Sequence, residues 1–311
     1  MAEHSEQARD ARWSTVQYFE HKGFNFSPHF DKQKVENDAL STFQWRNGDV
    51  VVSGFPKSGT TWLCYLLRNM ADFGIIYSGG RSEALILDWF LMDTHIRTDL
   101  RGQVTRQLQE GQLEIVSPRL IKTHLALPIF PLEQAKTKSV KVIHISRNPK
   151  DVAASSYHFY QSLFGGFYAS SWEKTVDTFL SGRMLYGPWL QHVVQWKKLG
   201  PKDNVLQVTY EEMKTDLPLV IHKIGQFLSI QLSNDVVNKI ALACSADEMK
   251  KCVHKYFIMD KGVLDDESKF IRKGVIGDWK NQFLVAQSER FDEEIERNLQ
   301  ENGIKFQYEP L

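Results

Sequence analysis

Cysteine is scarce in this chain of 311 residues, which carries only Cys64, Cys244 and Cys252. An odd count without CxxC spacing supports neither a disulfide framework nor a zinc site, and it fits reduced thiols in a reducing compartment. Long apolar runs are missing too: none reaches the ~18 residues that a membrane span requires. Charge of either sign is not in excess, with Lys+Arg and Asp+Glu both at 38 and a formal net charge of zero. That excludes a bulk electrostatic grip on nucleic acid or on an anionic membrane, and leaves room for a local basic pocket. There is no internal repeat, no low-complexity tract and no Pro/Gly/Ser-rich linker, so nothing divides the chain. The opening MAEHSEQARDARWS is polar and charged, unlike a secretory apolar segment, which predicts a cytoplasmic protein. No HExxH-type spacing asks for a metal.

What is present is 42% hydrophobic residues, enough for a large core, arranged as short strands and amphipathic helices. Val50–Ser53 (VVVS) is a β-branched run leading into Gly54 and Pro56, as buried parallel strands do. From Thr60 to Phe73 the apolar residues Leu63, Leu66, Leu67 and Met70 recur at helical spacing. Further strands are predicted at 119–122, 140–146 and 205–210. Pro149 suits the first turn of a helix that follows the third of these four strands. Strands alternating with helices predict an α/β fold, a single domain over residues 1–311 with a central parallel sheet flanked by helices. Phe291, Ile295 and Leu299 mark a surface helix near the end of the chain. Residues 78–112 read as a cover over a site.

The first chemical signal is Gly54-Phe55-Pro56-Lys57-Ser58-Gly59-Thr60-Thr61-Trp62, set between a strand and a helix. Backbone N–H groups and the helix dipole converge there on an anion, and Lys57 with two threonine hydroxyls can complete its contacts. Gly54 and Gly59 have the spacing of a P-loop, but Thr60 stands where its lysine belongs. The second signal is Arg147-Asn148-Pro149-Lys150-Asp151, with Ser155 on the following helix; a guanidinium fork and a hydroxyl suit a phosphate, although RNPKD alone also reads as a turn and helix start. Arg272-Lys273-Gly274 followed by Gly277-Asp278-Trp279-Lys280-Asn281 is the third. Lys122-Thr123-His124 follows a predicted strand, and a histidine of ordinary pKa ~6.5 suits a general base at neutral pH.

Taken together, PKSGTTW, KTH, RNPKD…S and RKG…GDWKN, in that order over most of the chain, resemble the cytosolic sulfotransferases. Tyr186-Gly187-Pro188-Trp189 and Tyr210-Glu211-Glu212-Met213-Lys214 continue the likeness between them. The resemblance implies a donor, 3′-phosphoadenosine 5′-phosphosulfate, and a product, adenosine 3′,5′-bisphosphate. It implies that Lys57, Ser58, Gly59, Thr60, Thr61 and Trp62 hold the phosphosulfate and one face of the adenine. Arg147, Ser155, Arg272, Lys273 and Gly274 would take the 3′-phosphate, and Tyr210, Cys244, Met249, Phe270 and Ile271 complete the nucleotide site. His124 would be the base, with Lys57 and Lys122 stabilising charge, in an in-line displacement that needs no metal. Lys122, Thr123, His124 and Phe159 would meet a small aromatic or steroid-like hydroxyl or amine, and Phe24, Phe26, Trp89 and Phe90 are candidate pocket walls.

Two positions depart from the family. Ala246 stands where the family commonly has an adenine-stacking phenylalanine. Lys280, Val285 and Glu289 match the family's dimer motif KxxxTVxxxE, from which a homodimer through Lys280–Glu289 is expected, but Leu284 replaces the threonine. The competing readings are a P-loop nucleotide kinase, against which Thr60 and Arg147 count, and a family member that binds nucleotide or ligand without catalysis.

Overall fold

A computed structural model describes residues 18–72, 85–92, 117–162, 168–245, 247–249 and 272–310, together with 107, 110 and 251. Its centre is a five-stranded sheet in the order β4-β5-β3-β6-β7. The strands are β3 Val50–Ser53, β4 Leu85–Ile86, β5 Leu120–Thr123, β6 Lys141–Ser146 and β7 Val205–Thr209, and every pairing between them is parallel. β1 Phe19–His21 and β2 Phe24–Phe26 form a separate antiparallel hairpin. The expected α/β architecture, a parallel sheet between helical layers, is the one observed.

β3 is central, and all four of its residues are buried because both faces of a parallel sheet are covered. Alternation along the strands sorts the core into two layers. Val51, Ile121 and Val142 pack with Phe55, Phe130 and Trp196 on one face. Val52, Ile143, Ile145 and Val208 pack on the other with Leu63, Leu66, Leu67 and Met70 of the Thr60–Asp72 helix, and with Ile221, Ile224 and Ile240 of the Leu217–Phe227 and Asn234–Ala243 helices. Each fully buried leucine contributes about 1.5–3 kcal/mol, so this helix is held by its apolar face more than by its propensity.

Four strands end where four chemical segments begin. Ser53 lies beside Thr123 on one side and His144 on the other, and Ser146 lies beside Thr209. The glycine-rich loop, His124, Arg147 and Tyr210 therefore leave the same carboxyl edge of the sheet. The chain turns to opposite sides of β3 there, which is where open α/β sheets place their ligands.

The differences from expectation are local. β5 runs one residue later than expected because Arg119 is committed to a buried pair with Asp49, Arg119 Nη2 to Asp49 Oδ2 at 2.5 Å. Tyr210 opens a helix instead of closing β7, since Thr209 and Glu212 form a reciprocal cap: Glu212 N donates to Thr209 Oγ1 at 3.1 Å and Thr209 N to Glu212 Oε2 at 2.7 Å. The β1–β2 hairpin turns on Lys22 and Gly23, at φ of 51° and 81°, the paired positive angles that match strand twist. Period-two alternation then drives Phe24 and Phe26 into the core at 1% exposure each, so they are core and not pocket walls. Phe291, Ile295 and Leu299 are buried on one face of a C-terminal helical run, Val285–Glu301, with a π turn in the middle. Among the described residues no helix is long and apolar enough to cross a membrane.

Candidate active site

The loop after β3 can lie where it does only because it carries glycine. A Cβ on Gly54 would stand 2.4 Å from the Ile145 carbonyl oxygen of β6, and one on Gly59, at φ +100°, would stand 2.8 Å from the Tyr210 ring. Lys57 occupies the apex at φ 69°, an angle that costs a non-glycine residue energy and aims its chain across the cavity. Its Nζ lies 4.1 Å from the centre of the Phe159 ring. Burial first, then the charges of Lys122, Arg147 and Arg272, push this ammonium down to about 7. Lys122 Nζ donates to Thr61 Oγ1 at 3.4 Å. At the foot of the loop, Trp62 Nε1 donates to the Cys244 carbonyl at 2.9 Å, and the Trp62 ring meets Tyr210 edge-on at 5.4 Å.

The end of β5 delivers Lys122 and His124 to the cavity and turns Thr123 away from it. Thr123 is fully buried and its Oγ1 donates to Asp88 at 2.5 Å, so the expected contact of Thr123 with an acceptor is corrected: strand alternation points it inward. His124 Nδ1 lies 2.7 Å from the Gly54 carbonyl oxygen. A carbonyl only accepts, so Nδ1 carries the proton and Nε2 keeps its lone pair. Burial, then Lys122, His192 and Lys57, hold His124 well below its usual range against the upward pull of that bond, so it is neutral at neutral pH. From behind, His192 Nε2 donates to the His124 carbonyl at 3.2 Å.

Arg147 leaves β6 with its guanidinium 4.1 Å from the centre of the Tyr210 ring, and Nη2 donates to the Val275 carbonyl at 3.1 Å. The rest of RNPKD faces elsewhere and ties the chain's last segments down. Asp151 accepts from Gly277 N and Trp279 N, both at 3.0 Å. Lys150, 4% exposed, donates to Ser288 Oγ at 2.7 Å and pairs with Asp292. Asn148 donates from N and Nδ2 to Glu211 at 2.9 and 3.1 Å, and burial pushes Glu211 up to about 7. So anchored, the C-terminal segment lays Arg272 and Lys273 over the cavity, where both pair with Asp278, Lys273 at 2.6 Å. Against the upward push of burial, bonds from Lys273, Asn281 and Arg272 hold Asp278 down at about 2.

These groups line one cavity: Lys57, Gly59, Thr60, Thr61, Trp62, Lys122, His124, Arg147, Ser155, Phe159, Tyr210, Met249, Arg272, Lys273 and Gly274 of the expected set. Ser58 and Cys244 do not line it. Ser58 is buried beneath the loop, and Cys244 is buried behind Trp62, which it holds through its backbone. Phe270, Ile271, Ala246, the Trp89 side chain and most of 78–112 lie outside the described residues. Sequence reading missed Pro56, His158 and Val275 as lining residues, and gave no cavity role to Lys214 or Asp278, although both stood in quoted motifs. Six basic side chains (Lys57, Lys122, Arg147, Lys214, Arg272 and Lys273) line the cavity, with Asp278 the one carboxylate among the described lining residues. Ser58 Oγ and Arg147 Nε are buried without a hydrogen-bond partner among the described residues. A cleft with this charge, a glycine cradle too tight for a Cβ and an aromatic wall at one end fits an anionic nucleotide with more than one phosphate-like group.

The sulfotransferase domain family matches residues 47–303. Sulfotransferase 1 family member D1 of Rattus norvegicus is 35% identical over 272 residues, covering 87% of this chain and 90% of its own. Human sulfotransferase 1E1 is 33% identical over 277 residues, covering 88% and 90%. The crystal structure of mouse sulfotransferase SULT7A1 complexed with PAP superposes with a TM-score of 0.72 at 29% identity, covering 91% of this chain and 94% of the other.

Proposed function

This chain belongs to the sulfotransferase family and moves a sulfuryl group from 3′-phosphoadenosine 5′-phosphosulfate to an acceptor, and from that premise we propose which of its residues carry the transfer. When bound, the donor supplies the sulfuryl group and leaves as adenosine 3′,5′-bisphosphate. Lys57, Thr60, Thr61 and the N-terminus of the Thr60–Asp72 helix hold its phosphosulfate end. Arg147, Ser155, Arg272, Lys273 and Gly274 hold its 3′-phosphate. Trp62, Tyr210 and Met249 flank the base.

His124 acts on the acceptor. Its Nε2 lone pair takes the proton from the attacking hydroxyl or amine, and the bond from Nδ1 to the Gly54 carbonyl keeps the ring oriented and steadies the imidazolium that results. Lys57 and Lys122 offset charge on the oxygens around sulfur, fixed in place beforehand and away from bulk water, where such groups act most strongly. The acceptor is a small phenol, steroid-like alcohol or aromatic amine that rests against Phe159.

The observation that carries this reading is the meeting of a neutral, correctly tautomerised His124 with Lys57 and Lys122 in one cationic cavity. Incubation with labelled donor and a panel of phenols, alcohols and amines tests it, together with His124→Ala. That variant should lose at least ~10²–10⁴-fold in turnover while binding adenosine 3′,5′-bisphosphate normally. A family member that only binds would transfer nothing to any acceptor.

We read residues 1–311 as one domain, supported by a match that reaches from 47 to 303, and we assign it to the cytosol, supported by free buried Cys64 and Cys244. A homodimer through Lys280–Glu289 is supported by Leu284 and Val285, 67% and 76% exposed at the head of a helix.

A further inference from the structure

Asp88 is buried completely on the turn that follows β4, and it does not line the cavity. It is nonetheless bonded to the residues that present His124. Thr123 Oγ1 donates to its Oδ1 at 2.5 Å, His124 N to its Oδ2 at 3.0 Å, and Tyr186 Oη to its Oδ2 at 2.9 Å. Tyr186 in turn sets its ring edge-on to the His124 imidazole, with centroids 5.6 Å apart. The bonded Thr123 hydroxyl also accepts from Leu125 N at 3.1 Å, which closes the turn just beyond His124.

A buried carboxyl at the end of a strand has a bland use, as a cap for loose N–H groups. Three features go beyond that use. All three neighbours are donors, which is the environment of an ionised carboxylate, although burial pushes Asp88 upward. The bonds converge on both sides of one residue, His124, through its own amide, the side chain before it and the ring beside it. Moreover, the charges facing the imidazole are otherwise cationic: Lys122 on its own strand end and Lys57 on the glycine-rich loop, with neutral His192 on the helix behind. Among the described residues, Asp88 is the buried carboxylate bonded to the His124 backbone.

We propose that Asp88 is the positioning residue of the reaction: it fixes the His124 backbone and the Tyr186 ring, and its negative charge supports the imidazolium that forms when His124 takes the acceptor's proton. The proposal rests on His124 being the base. It also gives β4 and its turn a purpose, since this edge segment carries the counter-charge of the catalytic centre.

Asp88→Asn tests it. The amide keeps the shape and can still accept from His124 N, but the charge is gone and the Thr123 or Tyr186 hydroxyl must turn round to accept from its NH2. The expected result is adenosine 3′,5′-bisphosphate affinity at the parent level with kcat lowered roughly 10- to 100-fold, the scale seen when a partner that orients a metal-bound histidine is removed. The acid limb of the kcat–pH profile should move to lower pH, because an imidazolium without its anion is harder to form. Parent kcat with an unmoved acid limb would overturn the proposal, and so would a matched loss of nucleotide affinity, which is the mark of a merely structural residue. If Asp88→Asn fails to fold, Tyr186→Phe removes one donor and keeps the ring. A roughly two- to tenfold loss in kcat at unchanged nucleotide affinity is then expected, and parent kcat overturns the proposal. His124→Ala separates the two levels: an active His124→Ala sinks the base assignment itself, whereas a dead His124→Ala beside a normal Asp88→Asn sinks the role of Asp88 alone.

Discussion

Lys57 lies with its ammonium nitrogen 4.1 Å from the centre of the Phe159 ring, so the side chain proposed as an acceptor wall also cushions a buried cation. The ring partly replaces lost hydration, a contribution of ~0.5–2 kcal/mol at such sites. It does not restore the ammonium's full proton affinity, which burial and the neighbouring cations leave at about 7.

A proton should therefore be taken up when nucleotide binds. An anion beside Lys57 opposes the repulsion from Lys122 and Arg147 and raises the ammonium back. Below about pH 6 Lys57 is already charged and uptake is small; near pH 8 it approaches one proton, and affinity falls as pH rises through 7. Calorimetry of product-nucleotide binding in buffers of different ionisation heat measures this directly. A Lys57→Arg variant, always charged, should show none of it.

Arg147→Ala should act on the nucleotide and leave the acceptor chemistry alone. Loss of a charge-assisted phosphate contact costs roughly 1.5–3 kcal/mol, about ten- to a hundredfold in affinity. A nucleotide lacking the 3′-phosphate should show little further loss in this variant. Simple additivity of the two losses would show that Arg147 contacts another group.

The opposite edge of the sheet offers a stability test that spares the site. Arg119 Nε and Nη2 donate to Asp49 at 3.1 and 2.5 Å, and the side chains are 6% and 0% exposed. Breaking a buried pair from one side leaves an uncompensated charge, so Asp49→Ala should destabilise by about 3–5 kcal/mol. Denaturant unfolding measures the loss, while kcat at low temperature should hold, because the pair sits at the amino ends of β3 and β5.

Much of this site could be read from the chain because its parts are local. The glycines of 54–59 answer to close backbone approach, and His124 and Arg147 follow strand ends that apolar runs announce. Thr123 was open to the same reasoning: if Lys122 faces the cavity, its neighbour on a strand faces away. Asp88 was not legible. It is one acid in an apolar stretch, and its partners lie 35, 36 and 98 residues further on. Phe24 and Phe26 were misplaced because a pocket wall and a core aromatic have the same composition, and only the register of a three-residue strand tells them apart.

The exposed pair Leu284 and Val285 predicts self-association. Parent protein should scatter light as a weak homodimer at tens of micromolar, and Val285→Asp should return it to monomer; a parent that is monomeric throughout refutes the interface. A charge placed in a packed apolar contact costs more than most such contacts supply.

Asp278 gives the cavity the character of an ion exchanger. Arg272 and Lys273 already hold its carboxylate, Lys273 at 2.6 Å, so in the proposed binding mode an arriving phosphate would trade places with an anion the protein carries itself. The cations stay gathered before any nucleotide comes, and ions from solution have less to contribute there or to lose. Nucleotide affinity should consequently decline with added salt more gently than the facing basic groups alone imply, since Asp278 already balances one of their positive charges without help from the surrounding electrolyte.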